Sequence, residues 1–108
     1  MNRSKVFALL GFAAKAGKLS YGFNCSVETL ERGKSKLVLS AEDVSQKSTK
    51  EISFFAEKYH TQHIILEGID IKAVSDAVGR KCGIISVNDE GFAKGLVDAI
   101  IGGNANDK

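Results

Sequence analysis

Apolar residues recur along this chain in two rhythms: short continuous runs of strand length, and longer stretches spaced for one face of a helix. Leu9, Leu10, Ala13, Ala14 and Gly17 share one side of a helix predicted over about residues 3–16, with Lys5, Phe12 and Lys15 elsewhere. Ser4 is the expected cap of that helix and Gly17 its stop. Residues 18–21 are long enough only for an edge strand. From Asn24, a capping residue type, Val27 and Leu30 predict a second helix ending at Arg32-Gly33. Leu37-Val38-Leu39 is an unbroken apolar run and predicts a strand covered on both faces.

Ser48-Thr49-Lys50-Glu51 has capping-box spacing, and behind it Ile52, Phe55, Ala56 and Tyr59 repeat at helical intervals. A third apolar run spans His63 to Leu66. Asp70 then opens a helix carrying Ile71, Val74, Ala77 and Val78, closed by Gly79 or Gly83. A fourth strand is expected from Ile84 to Val87. Asn88 or Asp89 starts a last helix with Phe92, Leu96, Ala99 and Ile100 on one face. Helices alternating with short buried strands predict an α/β protein, a three-layer α/β/α sandwich with helices on both faces of a sheet. Nothing resembles a linker or a repeat, so residues 1–101 are read as one domain and 102–108 as a frayed tail.

Length and composition narrow the functions. At 108 residues the chain is too short for a barrel enzyme or a full dinucleotide-binding fold. Fifteen Lys plus Arg against thirteen Asp plus Glu give only +2, but the charge is unevenly placed. Residues 1–36 carry +5 and residues 37–108 carry −3, so an anion-facing surface is expected in the first third. No proline interrupts the helices, and no tryptophan offers a stacking platform. The basic start and the apolar run Val6 to Ala14 imitate a signal peptide. Helical periodicity and a lysine inside the small-residue box argue instead for a helix of the domain. No apolar run approaches the length of about 18–20 residues that spans a bilayer.

Several chemical motifs fail on spacing. Gly11 to Lys18 imitates a phosphate-binding loop, but Gly17 comes one residue late and Leu19 replaces the hydroxyl that would meet a metal. His60 and His63 lack nearby further ligands, and Cys25 and Cys82 form no metal-binding pair, so no metal or other cofactor is expected. Cys25 lies in the first turn of a predicted helix but has no base or orienting group in any signature. Glu42 and Asp43 follow a strand, where a capping or solvated role is the common one. No enzyme constellation remains.

What remains is the basic first third joined to a Gly-x-Asn turn, Gly22-Phe23-Asn24, that opens a helix. Exposed amides at a helix start bind anions, and a preceding glycine permits close approach of a backbone. Lys15, Lys18, Arg32, Lys34 and Lys36 are near this turn in sequence. By residue chemistry alone, the commoner reading is that Asn24 is only a cap and the lysines only a solvated surface.

The stretch Leu9-Leu10-Gly11-Phe12-Ala13-Ala14-Lys15-Ala16-Gly17-Lys18-Leu19, then Gly22, then Glu31-Arg32-Gly33-Lys34-Ser35-Lys36-Leu37-Val38-Leu39-Ser40-Ala41-Glu42-Asp43-Val44 resembles the ribosomal L-seven-Ae and L-thirty-e superfamily, in its bacterial YlxQ-like branch. The likeness continues through Asp70 to Gly79 and Asn88 to Leu96. It implies a mixed four-stranded sheet and a non-enzymatic protein that binds kink-turn RNA, whose splayed bases are open to recognition. It further implies a cytoplasmic monomer linked to translation, with ribosomal proteins as possible neighbours. Carried over by position, the family's asparagine is Asn24, its helix-ending basic residue is Arg32, and a loop covering a flipped-out nucleotide is Glu67, Gly68 and Ile69. Phe23 lies between Gly22 and Asn24, and Lys15, Lys18, Lys34 and Lys36 are assigned to phosphates.

Three positions depart from the family's pattern: Cys25 stands where a glutamate is usual, Glu28 where a lysine is usual, and Glu67 where a basic or neutral residue is common. A lost base-edge contact of about 1–3 kcal/mol and a reversed charge near phosphate of about 2 kcal/mol together weaken standard binding by roughly 10²- to 10³-fold. The alternative reading is therefore a diverged member that has lost kink-turn binding and acts as a translation-linked protein-interaction module.

Overall fold

A computed structural model describes residues 1–102. The tail expected over 102–108 therefore lies, apart from Gly102, outside the described residues. The elements are α1 (Arg3–Lys15), β1 (Leu19–Tyr21), α2 (Phe23–Glu31), β2 (Leu37–Ala41), α3 (Gln46–Lys58), β3 (His63–Leu66), α4 (Ile71–Val78), β4 (Ile84–Val87) and α5 (Glu90–Val97). A π-helical turn, Asp98–Gly102, continues α5.

The sheet order is β1-β4-β2-β3. β2 and β3 are parallel, while β4 runs antiparallel to both β1 and β2. The mixed sheet and the three layers are as expected. Because side chains alternate across a strand, each strand serves two cores. Leu37, Leu39 and Ala41 of β2 join Ile85 and Val87 of β4 on one face, against Val6, Leu10 and Ala13 of α1, Val74 and Val78 of α4, and Leu96 of α5. On the other face Val38 and Ile84 meet Leu30 of α2 and Ile52 and Ala56 of α3. The apolar run that imitates a signal peptide is thus the central helix of the larger core, with Val6, Leu10 and Ala13 fully buried.

Three helix starts differ from expectation, each for a local reason. Asn2, not Ser4, caps α1 by accepting from the Lys5 amide. Ser45, not Ser48, caps α3 by accepting from the Ser48 amide, so the Ser48–Glu51 pair falls inside the helix. Gly22, not Asn24, precedes α2, at φ 92° and ψ 169°, a backbone region almost confined to glycine. The Gly22 amide donates to the Ile84 carbonyl at 2.7 Å, which fixes the turn against β4 and starts the helix before Asn24 is reached. Asp70 caps α4 and Asp89 caps α5 as expected, and Gly79 ends α4 in the left-handed conformation. Across α5 and the π-helical turn it is Ala93, with Leu96 and Ala99, that is buried, while Phe92 and Ile100 are half-buried at the margin.

Candidate nucleic-acid interface

Strand direction sorts the loops into two ends. β1, β2 and β3 run the same way, so the β1–α2, β2–α3 and β3–α4 junctions and the loop leading into β4 share one end, here called the Gly22 end. The opposite end holds the end of α1, the α2–β2 connection and the start of α5.

At the Gly22 end, α2 begins without a side-chain cap. The other four α-helices among the described residues each have one, from Asn2, Ser45, Asp70 and Asp89. The amides of Phe23, Asn24 and Cys25 therefore face outward without an intrahelical acceptor, which leaves the positive end of the helix dipole open to an anion. Phe23 is half-buried and packs edge-on to Phe55 of α3, 6.3 Å between ring centres, so it anchors the turn from beneath. Asn24 and Cys25 are exposed beside each other.

A chain of polar side chains holds α2 from behind. Thr29 Oγ1 lies 2.7 Å from the Cys25 carbonyl and 2.8 Å from Ser20 Oγ, which in turn lies 2.9 Å from Asn88 Nδ2. Asn88 Oδ1 is 2.6 Å from Ser86 Oγ, and Ser86 Oγ is 2.7 Å from Ser35 Oγ. Each hydroxyl has one proton and both carbonyl oxygens can only accept, so donation runs one way: Ser35 to Ser86 to Asn88 Oδ1, then from Asn88 Nδ2 to Ser20 to Thr29 to the Cys25 carbonyl. It ties α2 to β1, β4 and the start of β2. Ser26 is different: its hydroxyl is buried and has no partner.

The loop before β4 flanks the same turn. The Arg80 guanidinium stacks 4.6 Å from the centre of the Tyr21 ring, directly before Gly22, and Lys81 beside it is exposed. Ser75 Oγ accepts from the Cys82 amide and donates to its carbonyl, pinning the loop to α4. Burial pushes the Cys82 thiol up in pKa, with Arg80 opposing. Sequence reasoning passed over Arg80 and Lys81 because they lie nearly 60 positions after Gly22; antiparallel pairing of β4 with β1 brings them together.

The residues singled out from sequence divide into four groups. Gly22, Phe23, Asn24 and Cys25 form the turn. Glu28 and Arg32 continue along the exposed face of α2 and pair with each other at 2.9 Å. Glu67, Gly68 and Ile69 share the Gly22 end but follow β3, at the far edge of the sheet, three strand spacings or about 14 Å from β1. Ile69 is wholly buried in the larger core. The Gly68 amide donates to the Glu42 carboxylate at 2.7 Å, and the Ile71 amide to Asp43 at 2.8 Å. Glu42 and Asp43 thus serve as local caps, and with Glu67 and Asp70 they make that corner acidic. The loop adjoining the uncapped helix is the one carrying Arg80. Lys15, Lys18, Lys34 and Lys36 are at the opposite end altogether.

The two histidines line one open groove of about 420 Å³, and no cluster of three or more metal-ligating side chains forms among the described residues. His60 is exposed at the end of α3, at φ 56°. His63 Nε2 is 2.7 Å from Ser40 Oγ on the neighbouring strand, and burial pulls the His63 pKa down. No helix among the described residues is long and apolar enough to cross a membrane.

Comparison with known proteins settles the lineage. The sequence profile of the ribosomal protein L7Ae/L30e/S12e/Gadd45 family matches residues 4–97. The chain belongs to this family. Among its relatives is an RNA-binding protein YlxQ of Enterococcus faecium, 28% identical over 101 residues, covering 94% of this chain and 96% of the relative. An RNA-binding protein YlxQ of Bacillus subtilis (strain 168) is 28% identical over 105 residues, covering 93% and 99%. Among solved structures, a protein with unknown function from Bacillus halodurans C superposes with a TM-score of 0.84 at 26% identity, covering 89% of this chain and 96% of that one. A Giardia lamblia 15.5kD RNA binding protein shares the fold, with a TM-score of 0.75 at 16% identity, covering 95% and 88%. The family and the two YlxQ relatives bear ribosomal or RNA-binding names, in keeping with the expectation of a non-enzymatic chain.

Proposed function

We propose that this protein binds structured RNA without catalysing a reaction, presenting the uncapped start of α2 to the backbone of a kink-turn-like bend. The observation that carries the reading is the set of three outward amides at Phe23, Asn24 and Cys25, placed between Asn24 and the exposed Arg80-Lys81 pair. Amides and the helix dipole suit a phosphate, and the glycine at position 22 lets a backbone approach closely. The relatives named as RNA-binding proteins support the same ligand. The family's ribosomal members support a role beside the ribosome, in the cytoplasm. Arg32, at the other end of α2, meets a phosphate farther along the same RNA by leaving Glu28, an exposed i,i+4 pair worth only about 0.3–0.5 kcal/mol, less than a charge-assisted hydrogen bond to phosphate, about 1.5–3 kcal/mol.

A second reading is favoured by Cys25 and by the Glu28–Arg32 pair, which places a carboxylate on the face an RNA would meet. In that reading kink-turn recognition has been lost and the surface serves a protein partner in translation. Titration with a kink-turn RNA, and with the same RNA made continuous by deleting its bulge, separates the two. Bulge-dependent binding is expected. Equal affinity for both RNAs overturns kink-turn recognition and leaves the second reading.

A further inference from the structure

We infer that the four lysines at the end opposite Gly22 form a second, separate RNA contact, one that grips duplex phosphates without reading sequence. The reasoning starts from backbone hydrogen bonds. The Asn88 amide donates to the Lys18 carbonyl at 2.8 Å, and the Lys36 amide donates to the Val87 carbonyl at 2.7 Å. Lys18 and Lys36 therefore emerge on either side of the end of β4, two strand spacings or about 10 Å apart. Ser35 turns inward to Ser86, so its neighbours Lys34 and Lys36 are left exposed. Lys15 joins them from the last turn of α1, since the Lys18 amide returns to the Ala13 carbonyl. None of the four is in an ion pair among the described residues, where Arg32 and Lys72 hold the cationic side of the salt bridges.

Acidic residues border the four lysines in sequence: Glu31 and Glu90 are exposed, and Asp89 accepts from the Phe92 amide as the cap of α5. None of them forms an ion pair with the four lysines among the described residues. Beyond Lys36, a groove of about 340 Å³ toward α5 mixes Lys36 and Lys94 with Glu90 and Asp98, and there the basic surface stops. Lysine heads on flexible stems suit phosphate as point charges and carry no geometric code for a base. The patch is also displaced from the uncapped turn by the length of α2, about 13 Å, so its lysines do not converge on the anion site proposed at Gly22. One RNA with a bend and a flanking stem would meet both ends.

The inference rests on reading the chain as RNA-binding, but not on kink-turn recognition, and a plain RNA duplex tests it apart from the titration above. The wild-type protein and a Lys18→Gln, Lys34→Gln, Lys36→Gln variant are titrated with a 16-base-pair duplex at 50 and 200 mM salt, beside a Lys47→Gln, Lys50→Gln control on α3. Four phosphate contacts predict that wild-type affinity falls about 100-fold between these salts, and one remaining contact predicts about fourfold for the triple variant. The α3 control is expected to follow the wild type. Thermal melts check that both variants fold; the replaced side chains are exposed and stand in no ion pair among the described residues. An unchanged salt slope in the triple variant overturns the inference, as does loss of duplex binding in the α3 control alone. Absence of duplex binding by the wild type also overturns it, and leaves the lysines to an acidic protein surface.

Discussion

Ser26 and His63 show how much a single side chain can depart from what its letter suggests. In sequence Ser26 is one of several small polar residues around the Gly22 turn, yet its hydroxyl is sealed in the α2 face with no partner. An unsatisfied buried hydroxyl opposes folding, so Ser26→Ala is expected to stabilise the protein by about 1 kcal/mol, seen as a melting temperature about 4–8 °C higher. A lower melting temperature would show that the hydroxyl is satisfied. His63 reads as an isolated histidine opening a strand, and its partner Ser40 lies 23 positions away across a parallel pairing that the sequence does not announce. Burial disfavours the charged ring, so the folded chain binds the proton less readily than the unfolded one, whose histidine has the ordinary value of 6.5. Stability is therefore full above that pH. It declines as pH falls below 6.5 while the unfolded chain takes up the proton, and it levels off beneath the lowered folded value. Denaturant titrations from pH 7.5 down to 5 are expected to show this decline in the wild type and a shallower one in His63→Gln; identical slopes would remove His63 as the cause.

At the scale of elements, periodicity located every helix and strand but misplaced three helix starts. The reason is physical: Ser and Asn serve as caps, as interior residues and as turn residues, and the choice depends on where the preceding strand delivers the chain. Gly22 is the instructive case. Its amide is held by Ile84 and its dihedrals suit only glycine, yet a Cβ built there meets no atom within 4 Å. Gly22→Ala is expected to cost about 1–3 kcal/mol through backbone strain alone, measured by equilibrium denaturation, and to weaken RNA binding because the turn sets where the α2 amides point. A neutral substitution would mean the turn can relax, and with it the argument that this conformation presents the amides. The same element carries two of the three departures from the family's pattern. If the surface still binds kink-turn RNA through its amides, the Cys25→Glu, Glu28→Lys double variant gains little. If recognition has been lost, the variant gains roughly 10²- to 10³-fold in affinity, the ratio equivalent to about 3–5 kcal/mol.

Over the whole molecule, the alternation of helix and buried strand made the three layers legible, whereas strand order was not. Order decides which loops meet: it brings Arg80 to Tyr21, and it sends Glu67 to Ile69 to the far edge. Residues close in sequence were separated for the same reason, since nine residues of α2 stand between Gly22 and Lys34. The two cores have different consequences for function. An isolated nine-residue helix is not stable in water, so α2 persists only by packing on α3 and the sheet. That packing runs through Leu30, Val27 and Phe23 against Ile52, Phe55 and Ala56, while α1, α4 and α5 occupy the other face. Truncating a fully buried side chain costs about 2–5 kcal/mol in either core, but the effect should be felt locally as well as globally. Ile52→Ala is expected to speed amide hydrogen exchange across residues 23–31 and to weaken RNA binding under conditions where the protein remains folded. Leu96→Ala, at a comparable loss of stability, is expected to leave exchange in α2 slower than in Ile52→Ala and RNA affinity near that of the wild type. Equal exchange in α2 for the two variants at matched stability would mean that both cores open as one unit, and that the smaller core has no special part in holding the interface.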